Sequence, residues 1–464
     1  MAGRAMLIRN ADILGHGMGD LRIATGRIAA LGRLDPLPGE AMIDAAGGAL
    51  LPGLHDHHIH MAALAARRSS VFCGPPEVRD LQGLGERIGA AGEGWLRGIG
   101  YHESVAGLLD RAVLDRLVPD RPVRIQHRSG RIWFFNSVGL TAALAHAPAP
   151  PGLDIATGRL FDEDRWLRTA LGGTPPDFGA VSAELSAMGV TGITDMTPAN
   201  DPAMANHFAQ AQASGDLVQS CLLAGTLALS TAPGNDRLAI GPAKLHLHEA
   251  DLPDYDGATA FIAAAHAQGR AVAIHCVTEV ELVFALAALA DAGTEAGDRI
   301  EHASIAPDLQ VAEIARLGLA VVAQPHFIAE RGDEYRAAVE PEAVPDLYRL
   351  RAFRQAGVTL AGGSDAPFGQ PDPWAAMRAA VTRQTPTGAI MRSEEALSPE
   401  EALGLFLADP IDLSRQRALV PGASANLCLL DRPWIDARQR LTAQDVRASF
   451  ITGIPVYQRI DRRA

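Results

Sequence analysis

The chain has 464 residues, 41 of them basic and 54 acidic, for a formal net charge of −13. That balance argues against a general nucleic-acid binder, which needs clustered basic surface. At 48% hydrophobic and 20% charged the mix is that of an ordinary globular protein, long enough for two or three domains or one large α/β barrel with a satellite.

The basic count is lopsided, because every member except Lys244 is arginine. A GC-rich genome explains the arginines but not the one survivor. The four cysteines lie far apart with no C-x-x-C spacing, which fits a reduced, cytoplasmic setting better than a disulfide framework. Residues Met1 to Leu14 carry no long apolar core or cleavage pattern, so no signal peptide is expected. Ala-rich runs such as Phe284–Ala290 are too short to span a membrane.

In chain order, Met6–Arg9, Leu21–Ala24 and Arg27–Leu31 read as short strands, as do Ala425–Leu430 and Ser449–Gln458 at the other end. Two β-rich ends predict a small composite β domain, residues 1–53 with 415–464. The middle, 54–414, alternates apolar runs with helical patterns: Leu54–His60, Gly192–Asp195 after the helix Phe178–Met188, Val218–Leu223, Ala243–His248, Ala271–His275 before Glu279–Ala292, Arg299–His302 before Pro307–Leu317, Ala320–Gln324, and Thr359–Asp365 after Leu347–Ala356. Such alternation implies parallel βαβ units, and this number of strands closes a (β/α)8 barrel. A long insertion at about 61–180, rich in aromatics including Trp95, Trp133, Phe134, Phe135 and Trp166, is expected to cap the barrel mouth.

The polar residues of interest fall at the C-terminal ends of these strands, the face on which a barrel carries its active site. Along Leu54–His60 the side chains alternate, so Asp56, His58 and His60 share one face and His55 and His57 the other. A lone His-x-His is weak evidence of a metal, but His275, His302 and Asp365 end three further strands. Imidazoles with a carboxylate suit zinc or a similar divalent ion. Lys244 ends another strand. Unlike a guanidinium, a buried amine can lose its proton and then act as a nucleophile or take up CO2 as a carbamate that bridges two metals.

Leu51-Pro-Gly-Leu-His-Asp-His-His-Ile-His60 resembles the entry motif of the amidohydrolase superfamily. Gly94-Trp-Leu-Arg-Gly-Ile-Gly-Tyr101, Asn136-Ser137, Arg299-Ile-Glu-His-Ala303, Gln324-Pro325, Gly362-Gly-Ser-Asp-Ala-Pro367 and the tail Pro421–Asp431 resemble the branch that includes N-substituted formamide deformylases. The resemblance runs nearly the whole chain and implies a (β/α)8 barrel with a small composite β-sandwich domain formed by both termini. It implies that His58, His60 and Asp365 hold one metal and His275 and His302 a second, with carbamylated Lys244 between them. It further implies two zinc ions per chain and hydrolysis of an amide-like C–N bond, with Asp365 as general base and then acid.

The chain departs from the branch at Gly130-Arg131, Cys276-Val-Thr-Glu279, His326-Phe327 and Asn426. His102, Arg131, Trp133, His248 and His326 are the candidate substrate contacts, and His55 and His57 read as supporting or core residues. The expected partner is a small-molecule substrate, with no nucleic acid and no membrane; assembly as a homo-oligomer is left open. Two other readings stand beside the binuclear hydrolase. One is a mononuclear deaminase of an amino-substituted ring, with His58, His60, His275 and Asp365 on the metal and His302 catalytic. The other is a non-catalytic barrel scaffold.

Overall fold

The structure, a computed structural model, describes residues 5–75, 77–89, 94–172 and 175–459. The chain divides into two compact units, Met1–Met61 with Asp177–Ala464, and Ala62–Pro176.

The first unit contains the alternating segments. Its strands are β1 (Leu54–Ile59), β2 (Val190–Asp195), β3 (Ser220–Gly225), β4 (Leu238–His246), β5 (Val272–Cys276), β6 (Arg299–His302), β7 (Ala320–Ala323) and β8 (Thr359–Gly362). They form one sheet in sequential order, each pair parallel. Most of their residues are buried, as expected for strands covered on both faces. Local chemistry sets the helix limits. Asp201 caps Pro202–Ser214 by accepting from the Met204 amide, and Gly215, at φ 90°, ends it. Thr278 and Glu281 form a capping box at the start of Glu279–Ala292, the helix that follows β5.

The barrel nearly closes between β8 and β1. β8 as a ladder stops at Gly362, and the next residues complete the seam: the Asp365 amide donates to His58 O at 2.6 Å and the His60 amide to Ala366 O at 2.8 Å. The approach is close, since a Cβ on Gly363 would lie 2.6 Å from the His58 nitrogen.

Both chain ends enter one eight-stranded sheet, in which Leu427–Leu430 pairs antiparallel with Ala49–Pro52. Its core includes Ile8, Leu21, Ile23, Leu50, Leu427, Leu429 and Phe450; burying each large side chain contributes about 1.5–3 kcal/mol. The sequence reads Ser449–Gln458 as one strand, but the chain turns back within it. Val446–Ile451 and Ile454–Gln458 form a hairpin about Thr452 and Gly453, whose φ values of 49° and 75° suit a tight hairpin turn.

The second unit has its own six-stranded sheet, in the order Leu153–Asp154, Arg159–Phe161, Ile132–Phe135, Val123–His127, Leu96–Tyr101, Val71–Phe72. Phe134 joins a core with Ile125 and Leu114, and Trp133 and Phe135 join another with Leu140 and Leu160. Among the described residues no helix is long and apolar enough to cross a membrane.

Candidate metal centre

The hydrogen bonds that close the barrel also bring Asp365 to the end of β1. Its Oδ1 lies 3.0 Å from His60 Nε2 and 3.4 Å from His58 Nε2. One ligand atom from each of these three residues lies within 4.8 Å of the others, so together they could hold a metal ion. Asp365 sits at φ 52° and His302 at φ 72°, left-handed conformations that cost of order 1–3 kcal/mol each and tend to collect at functional sites.

Five imidazoles form a continuous row. Ring centroids are 5.3 Å apart for His60 and His58, 4.8 Å for His58 and His302, 4.4 Å for His302 and His275, and 4.3 Å for His275 and His246. Oxygen atoms hold the Nδ1 side of three of them. His58 Nδ1 is 2.5 Å from Glu301 Oε2, His60 Nδ1 is 3.2 Å from Thr197 Oγ1, and His302 Nδ1 is 2.7 Å from Gln324 Oε1. The Gln324 amide nitrogen donates to Val322 O, which turns its oxygen toward His302. A hydrogen on each Nδ1 leaves each Nε2 with a free lone pair, the form that binds a metal. Burial holds His58 and His302 below the ordinary imidazole range, with the nearby Lys244 charge acting in the same sense, so the neutral form is favoured.

Lys244 is 4% exposed, and its Nζ has no hydrogen-bond partner; His302 Nε2 is likewise buried and unpartnered. Isolated buried polar atoms are costly. Two such atoms, one in the row of imidazoles and one on the strand that carries His246, are what a bound cation, or a carbamate beside one, would satisfy, so the donor set fits a divalent metal. Burial pulls the Lys244 amine down to about 8, helped by Arg299 and opposed by Glu301 and Asp365. A useful fraction is therefore uncharged near neutral pH.

The remaining expected contacts have other partners. His326 is buried and bonds Ser364 O through Nε2 at 2.9 Å. His248 is exposed, and its Nδ1 accepts from the Ala250 amide at 3.3 Å. His102, Arg131 and Trp133 belong to the second unit. There His102 Nδ1 is 2.8 Å from Ser104 Oγ, Arg131 grips Asp162 with two hydrogen bonds, and Trp133 is buried with the Arg97 guanidinium 5.5 Å from its ring centre. His55 and His57 are buried side by side, His55 Nε2 being 2.9 Å from Thr194 Oγ1.

Glu301, Gln324 and Thr197 were not expected at the site. Strand alternation sets Glu301 opposite His302, but the left-handed turn at His302 breaks that alternation and both face the imidazole row. Gln324 and Glu301 stood within the motifs Gln-Pro and Arg-Ile-Glu-His, which gave their positions without their partners. Nothing in the sequence marks Thr197.

An N-substituted formamide deformylase of Arthrobacter pascens is 25% identical, over 97% of each chain. Among solved structures, an uncharacterized metal-dependent hydrolase of Pyrococcus furiosus superposes with a TM-score of 0.77 at 22% identity, over 92% of this chain and 99% of its own. N-isopropylammelide isopropylaminohydrolase of Burkholderia multivorans gives 0.56 at 19% identity, over 98% and 99%. Residues 41–457, nearly the whole chain, match the amidohydrolase family, and the barrel carrying this histidine and aspartate group belongs to that family of hydrolases.

Proposed function

We propose that the protein hydrolyses an amide-like C–N bond, of an N-acyl, N-formyl or related small-molecule amide, at a two-metal centre. The convergence of His58 and His60 on Asp365, beside the unpartnered Lys244 Nζ and His302 Nε2, carries this reading. His58, His60 and Asp365 would hold one ion and His275 and His302 the other, with carbamylated Lys244 between them. Zinc at these positions would supply Lewis acidity toward the carbonyl and toward water.

The chain's own residues perform the proton steps. Burial works against ionisation of Asp365, but the imidazoles of His60, His58 and His302 together outweigh it and keep the carboxylate well below its ordinary range. Asp365 is thus available to take the proton of the attacking water as its oxygen bonds the carbonyl carbon. It then returns that proton to the amine nitrogen as the C–N bond breaks. Thr197 and Gln324 keep the rings of His60 and His302 from turning. All four cysteines are free and buried, in keeping with a reducing, cytoplasmic setting.

One observation favours a second reading. Among the described residues only His58, His60 and Asp365 form a compact ligand group. That suits a single-metal deaminase of an amino-substituted ring, with Lys244 unmodified. Metal analysis of the purified protein separates the two: about two ions per chain supports the hydrolase and about one the deaminase. Full activity with no metal bound overturns both. A screen of N-formyl and N-acyl amines, with amino-substituted rings alongside, then identifies the bond that is cut.

A further inference from the structure

We infer that Glu301, anchored by Arg299, is a positioning residue that fixes His58 as a metal ligand through Nε2; this rests on reading His58 as a ligand. Glu301 is completely buried and Arg299 is 2% exposed. The two carboxylate oxygens are divided between partners: Oε1 accepts from Arg299 Nε at 2.6 Å and Oε2 lies 2.5 Å from His58 Nδ1. A pair built only for its own stability would favour the two-pronged Arg–carboxylate geometry. Here one prong is given up to the imidazole.

The guanidinium is itself tied to β1 and to the residue that follows β2, its Nη2 reaching His57 O at 3.4 Å and Met196 Sδ at 3.0 Å. The chain of contacts therefore runs from the β1 backbone through Arg299 and Glu301 back to a β1 side chain. It holds both the hydrogen and the ring plane of His58. A neutral imidazole has one N–H; a carboxylate at Nδ1 keeps it there and leaves the Nε2 lone pair facing Asp365. Thr197 and Gln324, the partners of His60 and His302, are neutral. Of the three Nδ1 partners only Glu301 offers a carboxylate.

The test compares wild type with Glu301→Gln, Thr197→Val and the double variant Arg299→Met/Glu301→Leu, the last leaving no buried charge unpaired. Three quantities are read: zinc affinity by competition with a chelator, the visible spectrum of the cobalt-loaded protein, and the melting temperature without metal. Glu301→Gln should bind zinc about 10- to 100-fold more weakly. It should alter the cobalt bands and melt below wild type even without metal, because Arg299 loses its charged partner, and Thr197→Val should lose less affinity. Wild-type affinity with an unchanged cobalt spectrum in Glu301→Gln overturns the assignment while leaving the metal centre intact. Should that variant not fold, the double variant decides: weak zinc binding supports the role and wild-type binding overturns it. A wild-type protein that binds no metal overturns the metal centre itself, and this inference with it.

Discussion

His60 Nε2 lies 3.0 Å from Asp365 Oδ1, although 305 residues separate them in the chain. The contact exists because the residues after β8 complete the seam against β1, so the last strand delivers a carboxylate to the imidazoles of the first.

Asp365→Asn should leave the fold intact and remove most of the activity. Asparagine tolerates the left-handed backbone at φ 52° and preserves the side-chain shape. It cannot carry a proton from water to the leaving amine, so kcat should fall by about 10²–10⁴. Steady-state kinetics with the circular dichroism melt of the same sample checks both halves; near-normal kcat would remove Asp365 from the proton path.

Lys244→Ala and Lys244→Arg test the lone lysine. Neither side chain can form a carbamate, so metal content should fall from about two ions per chain to about one, with loss of most activity. Acetate or propionate should restore part of it to Lys244→Ala by occupying the vacated carboxylate position. An active Lys244→Arg variant with full metal content would mean that the amine is not needed.

Gly363→Ala should damage the site through the barrel seam. The added Cβ would sit 2.4 Å from His58 Cβ and 2.9 Å from its Cα, so one strand end must move away. Overpacking of this kind costs about 1–3 kcal/mol, and an ångström of displacement at reacting groups can cost about 10² in rate. The expected result is a lower melting temperature and a larger loss in kcat/KM than in zinc content. An unchanged kcat/KM would show that the seam does not position the ligands.

Glu401 gives a stability test outside the ligand group. Two hydrogen bonds from Arg351, both 2.8 Å, hold its carboxylate down to about 2 from an ordinary 4.5, although burial opposes ionisation. It also completes the capping box with Ser398. Because the folded value is depressed, its contribution is fully present above pH 4.5 and fades as pH falls toward 2. Glu401→Gln should destabilise the protein by about 1 kcal/mol at pH 7. The gap in melting temperature to wild type should narrow by pH 3; a gap that does not change with pH would assign the loss to packing.

The barrel strands were legible because they are apolar runs that alternate with helical patterns. The helix Glu279–Ala292 carries both its capping box and its terminal glycine in the sequence. The second unit's sheet was not legible, since some of its strands are as short as Val71–Phe72 and find their partners only across the unit. Trp133, Phe134 and Phe135 illustrate the difference. The sequence set Trp133 among the candidate substrate contacts, whereas all three rings are buried in that unit's own cores.

By itself the sequence determined which residues can do the chemistry: imidazoles and a carboxylate at strand ends, and one lysine kept where every other basic residue is arginine. Those are intrinsic properties of side chains and of strand periodicity, and they survive without coordinates. Only the tertiary structure decided how they are oriented. Which nitrogen of His58 faces Asp365 depends on Glu301 and Arg299, and the amine of Lys244 is drawn down chiefly because folding buries it. Tautomer and desolvation are set by neighbours brought from distant strands, and the linear chain holds no record of those distances.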